Sequence, residues 1–154
     1  MGVMPKIDVI SESVIDSPPM EVYKALLNEI AGVTHWWMPY IGFKLRGDMP
    51  IDHEGAIYDA TINPTSRMNA KFSAKLTKIV EAKLIEEEIA GCFIGTASWT
   101  FEPTDGKTKA RHRFNARTNG LLFSLFSPFV NYGKRNSDIM EKGFKALNSY
   151  LSKK

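Results

Sequence analysis

Three histidines, a single cysteine and one run of glutamates are the side chains of this chain best placed to do chemistry. His35, His53 and His112 fall in separate segments, and none has a second ligand at the helical or Cys-x-x-Cys spacing that a metal site needs. Cys92 has no disulfide partner, and its setting between Gly91 and Phe93 suits a small buried residue better than a nucleophile. No Gly-x-Ser-x-Gly elbow and no glycine-rich phosphate loop occurs. The residues therefore point to no metal and no cofactor, and they leave any catalytic residue unknown. Two features remain. An imidazole at His112 can donate or accept a hydrogen bond and titrate near neutral pH. In Glu86-Glu87-Glu88, strand alternation would turn at least one carboxyl inward, whereas a charge run at a strand end would stay in solvent. Which of the three turns inward is left open, because the turn at 91–95 admits several lengths.

His112 can be positioned from local signals alone. Asp105-Gly106 is a strong two-residue hairpin turn, because both central positions need positive φ. Setting that turn pairs Thr104 with Lys107, Phe101 with Ala110, Trp99 with His112 and Ala97 with Phe114. The other face then pairs Glu102 with Lys109 and Thr100 with Arg111. One face is apolar and one charged, as a sheet covered on one side demands. A slip of one residue would bring Lys109 or Arg111 onto the face of Trp99.

The remaining elements follow from periodicity and turn formers. Alternation over 6–15 predicts a strand. Ser17 is placed to cap a helix with Pro18 at its first position, Val22, Ala25, Leu26 and Ile30 share one face, and Gly32 ends it. A short helical turn is expected through Val33–Trp37. Strands are expected over 41–47, 55–62, 69–81, 82–90, 95–103 and 107–117, joined by tight turns. From about Asn119 the chain is expected to be helical. There Phe126, Phe129, Gly133, Asn136, Met140, Phe144, Leu147 and Leu151 make one stripe with small and polar residues at its middle. Such a middle suits a helix lying over a cavity; a kink after Pro128 would also produce it. Residues 121–130 are apolar nearly all round, and could pack densely, gate a pocket mouth, touch a membrane or bury a dimer face.

The chain has 154 residues, 44% hydrophobic, which is enough for one domain over residues 1–154 with a sizeable core. A net charge of +3 without clustering argues against nucleic acid as a partner. No run is long enough for an integral membrane segment, and charge appears too early in Met1–Lys6 for a secretory signal. A cytoplasmic setting is the expectation.

Ser17-Pro18 with Val22 and Leu26, the stretch Trp36-Trp37-Met38-Pro39, Gly55 before a strand, and Phe101-Glu102-Pro103 with Asp105-Gly106 together resemble the helix-grip superfamily called SRPBCC. That superfamily includes the START domains and the birch pollen allergen family; the polyketide cyclase/dehydrase-like and chaperone-ATPase-activator-like branches look closest. The resemblance covers 7–151 and its motifs are architectural. It implies an α+β fold of order β-α-α-β6-α, in which a seven-stranded antiparallel sheet wraps around a long C-terminal helix with a cavity between them. Members bind lipids, sterols, polyketides or plant hormones, and a minority are enzymes.

The expected cavity wall is His112, Trp99, Phe101, Phe114, Phe72, Trp37 and Tyr58 from the sheet side, with Phe129, Gly133, Asn136 and Met140 from the helix. Open volume is expected beneath Gly133. The resulting expectation is a binding or carrier protein for a hydrophobic small molecule, lipid or polyketide-like, working as a monomer or homodimer. The alternatives are a polyketide cyclase or aromatase-like enzyme using polar groups of the same pocket, and an interaction module. An enzyme needs at least two polar groups converging near one point, while a carrier needs only one anchor.

Overall fold

Asp105 and Gly106 take φ values of 49° and 78°, and the hairpin they turn has the expected register, with Trp99 opposite His112 and Ala97 opposite Phe114. The structure, a computed structural model, describes residues 6–67, 69–120 and 131–153. Seven strands run in the order β1 (Lys6–Ile15), β2 (Ile41–Arg46), β3 (Ile57–Ile62), β4 (Ala70–Val80), β5 (Leu84–Gly91), β6 (Phe93–Thr104) and β7 (Lys107–Thr118). Helix α1 (Pro19–Ile30) follows β1, and helix α2 (Tyr132–Ser152) follows β7. The strands form one antiparallel sheet, ordered β1-β7-β6-β5-β4-β3-β2. Consecutive strands from β2 to β7 are neighbours, as tight turns require, and β1 closes onto β7. Every second residue of β7 is buried, so one face of the sheet is covered. No described helix is long and apolar enough to cross a membrane.

Helix α1 differs from expectation at its start. Pro18 is the N-cap and Pro19 the first helical residue, with no side-chain cap. Ser17 is instead tied to the sheet: its N–H donates to the Ile15 carbonyl at 2.8 Å, and its own carbonyl accepts from the Thr108 hydroxyl at 2.7 Å. Val22, Leu26 and Ile30 are buried as predicted, and α1 packs on β2, β6, β7 and α2. Gly32 follows with φ 78°, where a Cβ would lie 2.7 Å from the Phe43 carbonyl oxygen.

The second short helix, expected through Val33–Trp37, does not form. The Glu29 carboxylate, 1% exposed, accepts from the Thr34 hydroxyl at 2.8 Å and from the backbone N–H groups of Trp36 and Trp37, both at 3.0 Å. A buried side chain thus satisfies the donors that a helical turn would have used, and Pro39 disfavours helical geometry at Met38. Among the described residues the element order is therefore β-α-β6-α.

The described part of α2 begins at Tyr132, with the Asn131 side chain accepting from Lys134 N at 2.9 Å. Residues 121–130, with Phe126, Phe129 and every expectation attached to that segment, lie outside the described residues. Met140, Phe144, Leu147 and Leu151 are buried as expected. The two glycines of α2 behave differently from one another. A Cβ on Gly133 would sit 3.3 Å from Val9 Cγ2, so Gly133 looks onto β1 rather than open volume. Gly143 is where the helix must be thin: a Cβ there would lie 2.4 Å from Trp37 Cε2. The indole of Trp37 fills that notch and donates to the Ile139 carbonyl of α2 at 3.0 Å.

Gly143→Ala should therefore destabilise the protein by about 1–3 kcal/mol through overpacking, despite the gain of about 1 kcal/mol in helix propensity. Gly133→Ala should be neutral to stabilising, since Val9 is a side chain that can give way. Urea denaturation of both variants checks this; equal effects would mean that Trp37 is not wedged into the helix.

Candidate functional site

Between α2 and the inner face of the sheet lies a cavity of about 710 Å³. That is within the range for sites taking small molecules, roughly 300–1,000 Å³. Sheet register sets out its floor in two rows. Ile85, Trp99 and His112 lie side by side across β5, β6 and β7; Glu87, Ala97 and Phe114 form the next row. Ala97 leaves a hollow between two larger neighbours. At one end Phe72, Phe93 and Phe114 meet edge to face, with Phe93 also against Tyr132 of α2. Trp37, Tyr58 and Phe43 form a further aromatic wall. Asn136, Ile139 and Met140 of α2 form the roof.

Glu87 is the carboxyl of the run that turns inward. It is 2% exposed, while Glu86 and Glu88 are exposed. The connection between β5 and β6 is tight, with Ile89 opposite Gly95, and this fixes the parity that the sequence left open. The Tyr58 hydroxyl donates to Glu87 Oε2 at 2.6 Å, while Oε1 has no partner in the protein. Burial pushes this carboxyl up to about 7, with the Tyr58 hydrogen bond pulling the other way. The same burial, and then the nearby carboxylate, hold the Tyr58 phenol well above its ordinary value.

His112 is 7% exposed and faces the cavity beside Trp99, their ring centroids 4.6 Å apart. Burial pushes its pKa down to about 3, so the ring is neutral throughout the physiological range and does not titrate near pH 7 as its type suggested. Its Nδ1 has no protein partner, and neither does Oδ1 of Asn136. Each buried polar atom left without a partner costs about 1–3 kcal/mol, against a net folding stability of about 5–15 kcal/mol. These three atoms belong to residues that border the cavity, but each is itself closed off from it.

The structure brings most of the expected wall together. His112, Trp99, Phe114 and Phe72 line the cavity, as do Trp37, Tyr58, Asn136 and Met140. Phe101 does not: it is 3% exposed and packs edge to face on Tyr23 of α1, with ring centroids 5.8 Å apart. Helix α1 covers that end of β6, so the open space stops at Trp99. Gly133 is likewise absent from the lining, and Phe129 lies outside the described residues. Glu87 was only one of three candidates by sequence, although Ile85 and Ile89 on either side share its parity and carried the signal. Its partnership with Tyr58 had no sequence signal. Burial pushes the Cys92 thiol up to about 11, which leaves it protonated and a poor nucleophile. Among the described residues no three His, Cys, Asp or Glu side chains gather as metal ligands would.

Solved structures share this architecture along nearly the whole chain. Ara h 8.0201 superposes with a TM-score of 0.69 at 18% identity, over 97% of this chain and 100% of that one. The helix-grip fold is the fold of this chain. Norcoclaurine synthase from Thalictrum flavum, in complex with dopamine and hydroxybenzaldehyde, matches with a TM-score of 0.64 at 10% identity, over 97% of this chain and 88% of that one. Protein CV1439 from Chromobacterium violaceum matches at 0.68 and 14% identity, over 93% and 95%. At these identities the likeness is one of fold. No protein-family model matches the sequence, and no curated protein does.

The Glu87 carboxyl should titrate near pH 7 in the folded protein rather than near 4.5. Between those values the native state keeps a proton that the unfolded chain has lost. Stability should thus fall as pH rises through this window, by roughly 3 kcal/mol if Glu87 acted alone. Carbon-13 NMR of the labelled carboxyl checks the midpoint. Tyr58→Phe should raise it further, because the hydrogen bond that favours the charged form is lost; a midpoint near 4.5 in either protein would show that the carboxyl is hydrated.

Proposed function

We propose that this helix-grip protein binds a hydrophobic small molecule, lipid or polyketide-like, in the cavity between its sheet and α2, and that it acts as a carrier or receptor for that molecule. The observation that carries the reading is the cavity of about 710 Å³, walled mainly by aromatic and aliphatic side chains, with Glu87, His112, Asn136 and the charged Arg135, Asp138 and Lys142 also in its lining. Apolar walls supply affinity through removal of surface from water; the few polar atoms fix orientation. The norcoclaurine synthase complex lends support, since a protein of similar architecture forms a complex with two small molecules. A cytoplasmic monomer or homodimer fits the single cysteine and ordinary composition.

Glu87 favours a second reading. A carboxyl near pKa 7, bonded to a phenol and belonging to a residue that borders the cavity, has the properties of a general acid or base at neutral pH. Under that reading the protein is a polyketide cyclase or aromatase-like enzyme, and Glu87 moves the proton.

Titration with the neutral apolar dye N-phenyl-1-naphthylamine separates a usable cavity from a closed one. The wild-type protein should take up the dye one to one. Ala97→Leu, which fills the hollow between Glu87 and Phe114, should bind it at least tenfold more weakly, about 1.4 kcal/mol, with an unchanged circular dichroism spectrum. Dye uptake that ignores Ala97→Leu would place the binding elsewhere. Glu87→Gln should leave dye uptake intact; a loss of about a hundredfold in turnover of a cyclising substrate by that variant would select the enzyme reading.

A further inference from the structure

The mouth of the cavity carries cations that its inner wall lacks. Among the described lining residues, Tyr40, Asn69, Arg135, Asp138 and Lys142 are the exposed ones. Tyr40 immediately precedes β2 and Asn69 immediately precedes β4, and the loop between β3 and β4 is tied to Tyr40 by the Asn63 N–H, which donates to the Tyr40 carbonyl at 2.9 Å. Arg135, Asp138 and Lys142 stand on α2, and Lys142 Nζ lies 5.6 Å from the Tyr40 ring centroid. Elsewhere α2 is closed against β1: Gly133 meets Val9, and the Asn148 side chain accepts from Asp16 N at 2.8 Å and donates to the Val14 carbonyl at 3.3 Å. The opening thus faces the β2 edge of the sheet.

Two cations and one carboxylate give this lip a net single positive charge, and none of the three has an ion-pair partner among the described residues. At about 100° per residue, Arg135 and Lys142 fall within about 20° of each other around α2, and Asp138 lies roughly 40° further from the buried face of Met140 and Phe144. The cations therefore border the opening, with the carboxylate behind them. A guanidinium fork and a flexible ammonium suit a carboxylate, which accepts at both oxygens and carries one charge. The aromatic and aliphatic walls inside suit an apolar chain, but an ionised head would be costly to bury among them. Such a head stays at the lip, in reach of water.

We propose that the cavity takes an amphipathic monocarboxylate, its apolar chain among the aromatic walls and its carboxylate held at the mouth by Arg135 and Lys142. This rests on the cavity being the binding site and names the chemical class of its ligand.

The test follows displacement of N-phenyl-1-naphthylamine by decanoate, decanol and decylamine at neutral pH, each below its micelle-forming concentration. The three share one chain and differ in the charge of the head. Arg135→Gln/Lys142→Gln should bind decanoate at least about fivefold more weakly than the wild type, the scale of two partly exposed charged contacts, and decanol equally well. Asp138→Asn should bind decanoate about twofold more tightly, and decylamine more weakly. Added salt should weaken decanoate binding to the wild type and leave decanol unaffected. All three positions are exposed, so circular dichroism should be unchanged. Decanoate affinity that the double variant leaves intact overturns the carboxylate inference and leaves the cavity as a binding site. So does an equal loss for decanoate and decanol, and so does a protein that binds the dye but no decanoate. Failure to bind dye or any of the three amphiphiles overturns both readings together.

Discussion

Trp37 holds the layers of this protein together, and its position depends on one buried carboxylate. Glu29, near the end of α1, gathers the Thr34 hydroxyl and the N–H groups of Trp36 and Trp37. That turns the chain back over the core without a second helix and delivers the Trp37 indole to the notch at Gly143. From there the ring bonds the Ile139 carbonyl of α2, stacks on Trp36 and meets Trp99 of the sheet edge-on. Helix, loop and sheet are thus pinned around one side chain. With the pin at Ile139–Gly143, the roof residues Asn136 and Met140 are held over the floor at a separation that packing alone would tend to close.

That separation explains the chemistry of the site. A collapsed cavity would let Glu87 and His112 find partners or be displaced to solvent. Burial beside that space moves the two groups in opposite directions: Glu87 toward protonation, His112 toward neutrality. Both shifts have one cause, the cost of charge in an apolar surround. The charged residues of the lining, Arg135, Asp138 and Lys142, belong to α2. A molecule that binds only the folded protein would add to its stability.

Much of the fold could be read from local signals. The Asp105-Gly106 turn set the β6–β7 register because positive φ at two successive positions allows few alternatives, and the charged face ruled out a slip. His112 and Trp99 were placed by the same argument. Where expectation departed from structure, a long-range contact had taken over. Ser17 serves Thr108 rather than the helix it precedes. The turn after Val33 answers to Glu29, and nothing in local propensity identifies that carboxylate as its organiser. Periodicity put Gly133 on the inward stripe and left Gly143 off it, yet it is Gly143 that meets an indole. Phe101 alternates correctly but lies under α1, whose path over the sheet is a tertiary fact. Glu87 was half-legible: its parity with Ile85 and Ile89 was visible, but the tightness of the β5–β6 turn was not.

The central claim is that the space under α2 exists to hold a molecule. Native mass spectrometry of protein purified from its own host, with no ligand added, addresses it most directly. The account predicts a population carrying a single small organic adduct, lost on gentle activation and absent from Ala97→Leu prepared in parallel. A wild-type protein that flies only at its bare mass from native extracts, and whose spectrum matches that of Ala97→Leu, would contradict it.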